Sequence, residues 1–135
     1  MNTGRFVGAA LAVWIVRVLL NYLFYGVLKT DEFAAMSDAH PGIFREVIPA
    51  YIAADLLFAV VFVILFAKVA SCLGGGVKGG VLLAILVAIL SPLLGNIYIF
   101  YSFTIYPAGT MVTDSIFQLV SHAVSGALAG AIYKS

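Results

Sequence analysis

The chain has 135 residues, of which 64% are hydrophobic and 10% charged, with a mean hydropathy of +1.14. Soluble domains carry about 45–50% apolar and about 25% charged residues, so this composition excludes a water-soluble domain and demands lipid as solvent. Seven Lys and Arg against six Asp and Glu leave a charge of +1, too balanced for nucleic-acid binding, and the single Cys72 excludes an internal disulfide or a multi-cysteine metal site.

The first apolar stretch, Phe6–Leu28, has Arg5 in front of it and Ala10-Leu11-Ala12 where a signal peptide would be cut. The apolar run continues well past that point and carries Arg17, so the stretch reads as a retained transmembrane helix. The only long loop follows, Lys29 to Glu46, with Asp31, Glu32, Asp38 and Glu46. Thr30 before Asp31 and Glu32 predicts a short helix through Met36, ended by His40-Pro41-Gly42. Phe33, Met36 and Phe44 give this loop apolar contacts and lay it on the membrane surface.

Val47–Val69 is the second span. Leu73 to Gly80 holds five glycines, but no Gly-Lys-Ser/Thr follows and no strand precedes, so it reads as a flexible turn and not a phosphate loop. Val81–Phe103 is the third span, with a kink expected at Pro92. A short break around Tyr106-Pro107-Ala108-Gly109 leads to the last span, Met111–Tyr133. Each span makes about 35 Å of helix at ~1.5 Å per residue, enough to cross a ~30 Å hydrocarbon core with tilt. No recurring alternating pattern supports a β-barrel. The predicted fold is an all-α bundle of four transmembrane helices over residues 1–135, arranged as two helical hairpins of similar design.

Basic residues set an orientation. Arg5, Lys68, Lys78 and Lys134 share one side, against Lys29 and Arg45 on the other, which predicts cytoplasmic termini and an outward acidic loop. The hairpins are alike in detail. Leu19-Leu20-Asn21 before Tyr22 to Tyr25 matches Leu93-Leu94-Gly95-Asn96 before Ile97 to Tyr101, and the second and fourth spans each carry an Asp in their first half, Asp55 and Asp114.

Three features together carry a resemblance: Tyr25-Gly26-Val27-Leu28 closing the first helix, Pro92 with Asn96 in the third, and Asp114 followed by Gln118-Leu119-Val120-Ser121-His122 and Gly126 to Gly130 in the last. In this layout the chain resembles a family of small four-helix bacterial membrane proteins classed only as a domain of unknown function. The resemblance implies the fold and a bacterial inner-membrane location, but no activity.

Charge at membrane depth costs about 2.5–3.5 kcal/mol on insertion scales, so buried ionisable groups need partners or a purpose. Arg17 and Asn21 share a face of the first helix, and Asp55, Asn96, Asp114, Gln118 and His122 fall in the outer half of the other three. These seven residues are expected to converge on a polar pocket that binds or passes a small polar solute or ion. The alternative is an accessory or structural subunit of a membrane complex, its charges only fixing helix packing. No nucleophile–base pair argues for an enzyme. No cofactor is predicted, and the alternatives are a haem on His122, which needs a facing partner, or a metal held by His122, Asp114 and Asp55. Small-residue faces at Gly4, Gly8 and Ala12 and at Gly126 and Gly130 predict close helix packing. Four helices enclose little volume, so transport implies a homo-oligomer or other membrane subunits.

Overall fold

A computed structural model describes residues 2–45 and 47–133; Glu46 and Lys134, counted above among the loop acids and the basic residues, lie outside them. Five helices follow one another, with no strand among the described residues: α1 (Thr3–Leu28), α2 (Thr30–Ala39), α3 (Ile48–Val69), α4 (Gly76–Ser102) and α5 (Ala108–Ile132). All but α2 are long and apolar enough to cross a membrane, and only 22–33% of each such span is buried within the protein. The remaining faces, carrying Leu11, Ile15, Leu57, Leu86, Leu90 and Ile116, are exposed and apolar, which makes the chain a multi-pass membrane protein.

Helix starts follow local chemistry. Asn2 caps α1 by accepting the Arg5 amide at 3.1 Å, and Pro49 occupies the first turn of α3, where its missing N–H costs nothing. The short helix α2 runs past the expected Met36 to Ala39 and stops at His40, before Pro41, as expected. Thr30 is its first helical residue rather than its cap, because Lys29 takes the cap position without a side-chain bond.

The largest departure is at the glycines. Helix α4 begins at Gly76 rather than Val81, so the turn is shorter than the run of glycines. Gly74, Gly75 and Gly76 have φ of 86°, 62° and 54° and make the reversal, whereas Gly80 is helical and buried. A Cβ on Gly80 would fall on the carbonyl oxygen of Gly126, one on Gly126 on that of Gly80, and one on Gly130 on that of Gly76. The backbones of α4 and α5 therefore touch, and the Gly126–Gly130 face is used inside the protein. Gly4 and Gly8 do not pack this way. A Cβ on Gly8 would meet only Ile132, at an ordinary 3.8 Å, and one on Gly4 only the Asn2 side chain at 3.6 Å.

The half of the protein next to its termini is one apolar core joining Val13, Ala59, Phe62, Val63, Phe66, Leu83, Ala84, Ala129 and Tyr133. Helix α1 packs between α3 and α5, and α4 packs on α5. Two helices widen in the half of the protein next to α2. The last turn of α1, Phe24–Leu28, is π-helical, and so is Ile89–Leu93 around Pro92 in α4, which resumes as an α-helix over Leu94–Ser102. Proline cannot donate to the preceding turn, and the wider ring absorbs that loss.

Candidate functional site

With the half next to the termini filled by apolar side chains, the polar ones collect in the half next to α2. At ~1.5 Å per residue, Asp114 lies about 9 Å inside the end of α5 next to α2, Asp55 about 10 Å inside that of α3, and Arg17 about 16 Å inside that of α1. The seven expected residues do not form one pocket. Six of them divide between two hydrogen-bonded clusters, and the His122 side chain bonds to neither carboxylate.

The first cluster ties α1 to α3. Arg17 Nε donates to Asp55 Oδ1 at 2.9 Å and Asn21 Nδ2 to Asp55 Oδ2 at 2.7 Å, with the Arg17 and Asp55 side chains each 9% exposed. The guanidinium lies over the Phe58 ring, 3.9 Å from its centroid, and His122 meets the same ring edge-on at 5.0 Å. Trp14 Nε1 adds a bond to the Ile52 carbonyl at 3.0 Å. Arg17 Nη1 and Ser121 Oγ are buried without a hydrogen-bond partner.

The second cluster joins α1, α4 and α5 around Asp114. The Tyr25 hydroxyl donates to Asp114 Oδ1 and accepts from Gln118 Nε2 at 3.0 Å. Asn96 Nδ2 donates to Asp114 Oδ2 at 2.6 Å and to Ser115 Oγ at 3.0 Å. Phe24 and Phe117 stack at 4.1 Å beside it. Among the described residues no Lys, Arg or His pairs with Asp114.

Helix α2 covers this cluster. Phe33 packs edge-on against Tyr25 at 5.7 Å, and Met36 is buried. Glu32 accepts from Lys29 at 2.5 Å and from the Thr110 hydroxyl in the first turn of α5. These two donors, Lys29 first, hold the Glu32 carboxyl below the usual carboxylate range.

Apart from its contact with Phe58, the His122 side chain takes no part in either cluster. Its Nδ1 is 2.7 Å from the Gln118 carbonyl, which can only accept, so Nδ1 carries the proton. The triad of His122, Asp55 and Asp114 is not assembled, because each carboxylate is held by its own cluster; no group of three His, Cys, Asp or Glu gathers among the described residues. Tyr25, Ser115 and Phe58 were not expected in the site. The spacing of Arg17, Asn21 and Tyr25, four residues apart on one helix face, is the signal that points to Tyr25.

The two hairpins place their Asn–Asp pairs alike. Asn21 of α1 donates to Asp55 of α3, and Asn96 of α4 donates to Asp114 of α5. Four residues before Asn21 stands Arg17, whereas four residues before Asn96 stands Pro92. The second carboxylate thus lacks the cation that the first one has. Comparison of the chain with protein-family models, curated proteins and solved structures gives no match, so the reading of this site rests on its own chemistry.

Proposed function

We propose that the protein binds a monovalent cation, the proton included, at Asp114 in the outer half of its bundle, and that this binding is the basis of its function in the membrane. One observation carries the reading: of the charges deep in the spans, Arg17 and Asp55 cancel, and Asp114 is left uncompensated. An ionised Asp at the centre of a membrane helix costs about 2.5–3.5 kcal/mol; Asp114, about 9 Å inside the end of α5, bears part of that cost, and a single positive charge beside it relieves it. Tyr25 and Asn96 hold the carboxylate in place, and the Tyr25–Gln118 bond orients the hydroxyl. Functional sites favour such π-helical turns as those of α1 and α4. In this reading both termini face the cytoplasm of a bacterium, supported by Arg5, Lys68 and Lys78 at one end against Lys29 and Arg45 at the other, and α2 covers the site from outside.

The test is melting of the purified full chain in detergent micelles at constant ionic strength. Raising sodium or proton concentration should raise the melting temperature of the wild type, as mass action requires of a ligand that binds the folded state. Asp114→Asn keeps the shape of the side chain but replaces one of its two accepting oxygens by a donor; whatever its own melting temperature, it should lose the response. An unchanged response in Asp114→Asn would refute the reading. It would leave the second one, an accessory membrane subunit, which is favoured by the way Asp55 and Asp114 are held by side-chain donors of neighbouring helices.

A further inference from the structure

Helices α4 and α5 touch through their glycines but part above the wide turn at Pro92. Between them lies a groove of about 300 Å³, at the small end of the range for ligand sites. Ile97, Met111 and Ile116 make its walls apolar, and Phe100 and Tyr101 add two aromatic rings set edge-to-face at 5.3 Å. Asn96 and Ser115 form its only polar foot. Asn96 Nδ2 bonds to Ser115 Oγ on one side and to Asp114 Oδ2 on the other, so the uncompensated carboxylate stands one hydrogen bond behind the foot. The rim residues Ile97, Val112 and Ile116 are exposed and apolar, so the groove opens onto the apolar face that the spans present to lipid.

Resting on the assignment of Asp114 as the uncompensated charge, we infer that this groove binds a lipophilic organic cation, a quaternary ammonium or phosphonium, entering from the bilayer. Each part of the site matches one part of such a molecule. Apolar walls take its alkyl or aryl groups, aromatic rings attract a diffuse positive charge, and the carboxylate supplies the counter-charge. A neutral acyl chain fills the walls but leaves the carboxylate uncompensated. A hydrated metal cation satisfies the carboxylate but gains nothing from the walls. Because an organic cation and a proton neutralise the same group, the two compete.

Equilibrium dialysis of radiolabelled tetraphenylphosphonium against the full chain in micelles tests the inference. Binding should saturate and weaken as proton concentration rises. Asp114→Asn should weaken it at least about tenfold, and Val112→Trp, which fills the groove while leaving the Asp114 carboxylate itself in place, by a similar factor. Neutral triphenylphosphine oxide should bind at least about tenfold less tightly. Ser115→Ala gives a milder perturbation of the foot, with weakened binding in a protein of unchanged melting temperature. Absence of saturable binding, equal affinity for the oxide, or indifference to both Asp114→Asn and Val112→Trp would overturn the groove as a cation site. Melting against sodium separates this failure from the broader one. If the wild type and Val112→Trp keep a response that Asp114→Asn lacks, the carboxylate still binds a small cation and only the groove assignment falls.

Discussion

Removing one partner of the Arg17–Asp55 pair should be among the most damaging changes that can be made to this protein. Asp55→Leu leaves the guanidinium over Phe58 with no carboxylate, when its Nη1 already lacks an acceptor. Arg17→Met leaves Asp55 with Asn21 as its side-chain donor. Both side chains are only 9% exposed, so solvent does little to replace the lost partner. Breaking a buried pair from one side costs about 3–5 kcal/mol, a change of roughly a hundred- to a few thousand-fold in the folded-to-unfolded ratio. The double change removes both charges and should recover most of the loss. A residual deficit of about 1–3 kcal/mol is expected where Asn21 loses its acceptor. Unfolding free energies by steric trapping or by titration of mixed micelles with a denaturing detergent give the double-mutant cycle directly. Single effects that simply add in the double variant would refute direct pairing. Strong coupling of Arg17 to Asp114 instead would refute the division into two clusters.

Other changes test the remaining contacts. Gly80→Ala and Gly126→Ala should each destabilise by at least roughly 1–3 kcal/mol, since a methyl group there displaces the backbone of the facing helix, while Gly8→Ala should be neutral or stabilise by up to about 1 kcal/mol; thermal melts rank all three. Tyr25→Phe removes the hydroxyl shared by Asp114 and Gln118 and should cost about 1–3 kcal/mol, with faster amide hydrogen exchange confined to the outer ends of α1 and α5. The Glu32 carboxyl is lowered in the folded protein, so its contribution is complete above its unfolded pKa of about 4.3 and is lost as pH falls through the lower folded value. Exchange of α2 amides, corrected for intrinsic rates, should therefore rise below about pH 4, and in Glu32→Gln it should already be fast at neutral pH. For sidedness, Ser37→Cys in a Cys72→Ser background should react with an impermeant thiol reagent in intact cells, while the exposed native Cys72 should not; the reverse pattern would invert the orientation.

The spans are legible in the sequence because hydropathy over some twenty residues has few rivals as a signal, and their observed ends fall within three residues of the expected ones except at Gly76, five residues before the expected start of α4. The charged residues are legible too, since Arg17 and Asp55 are rare types at such depth. Their grouping is not, because it depends on which helices are neighbours. One convergent pocket requires four helices around a common axis, whereas here α1 lies between α3 and α5, so each carboxylate finds donors on its own side. Glycine misleads for a related reason. Consecutive glycines mark a turn at Gly74 and Gly75, but Gly80 owes its place to Gly126 on another helix, a contact with no local trace. Tyr25 passes for an interfacial aromatic until its hydroxyl is seen on Asp114.

The two π-helical turns bear on how this chain tolerates insertions and deletions. A π-turn carries one residue more than the α-turn it replaces and takes it up in a wider ring, whereas a residue removed from an α-turn rotates everything downstream by about 100°. Asn96 lies three residues beyond the wide turn at Ile89–Leu93, so its direction toward Asp114 depends on that ring taking up the extra residue. Deleting Pro92 would let an α-turn form there with Asn96, Phe100 and Tyr101 still directed toward α5, whereas deleting Gly95 from the α-helical segment would turn all three away together. The register of this last segment of α4 is thus set by residue count and not by residue type, and the wide turn is where the count can fall by one without moving the site.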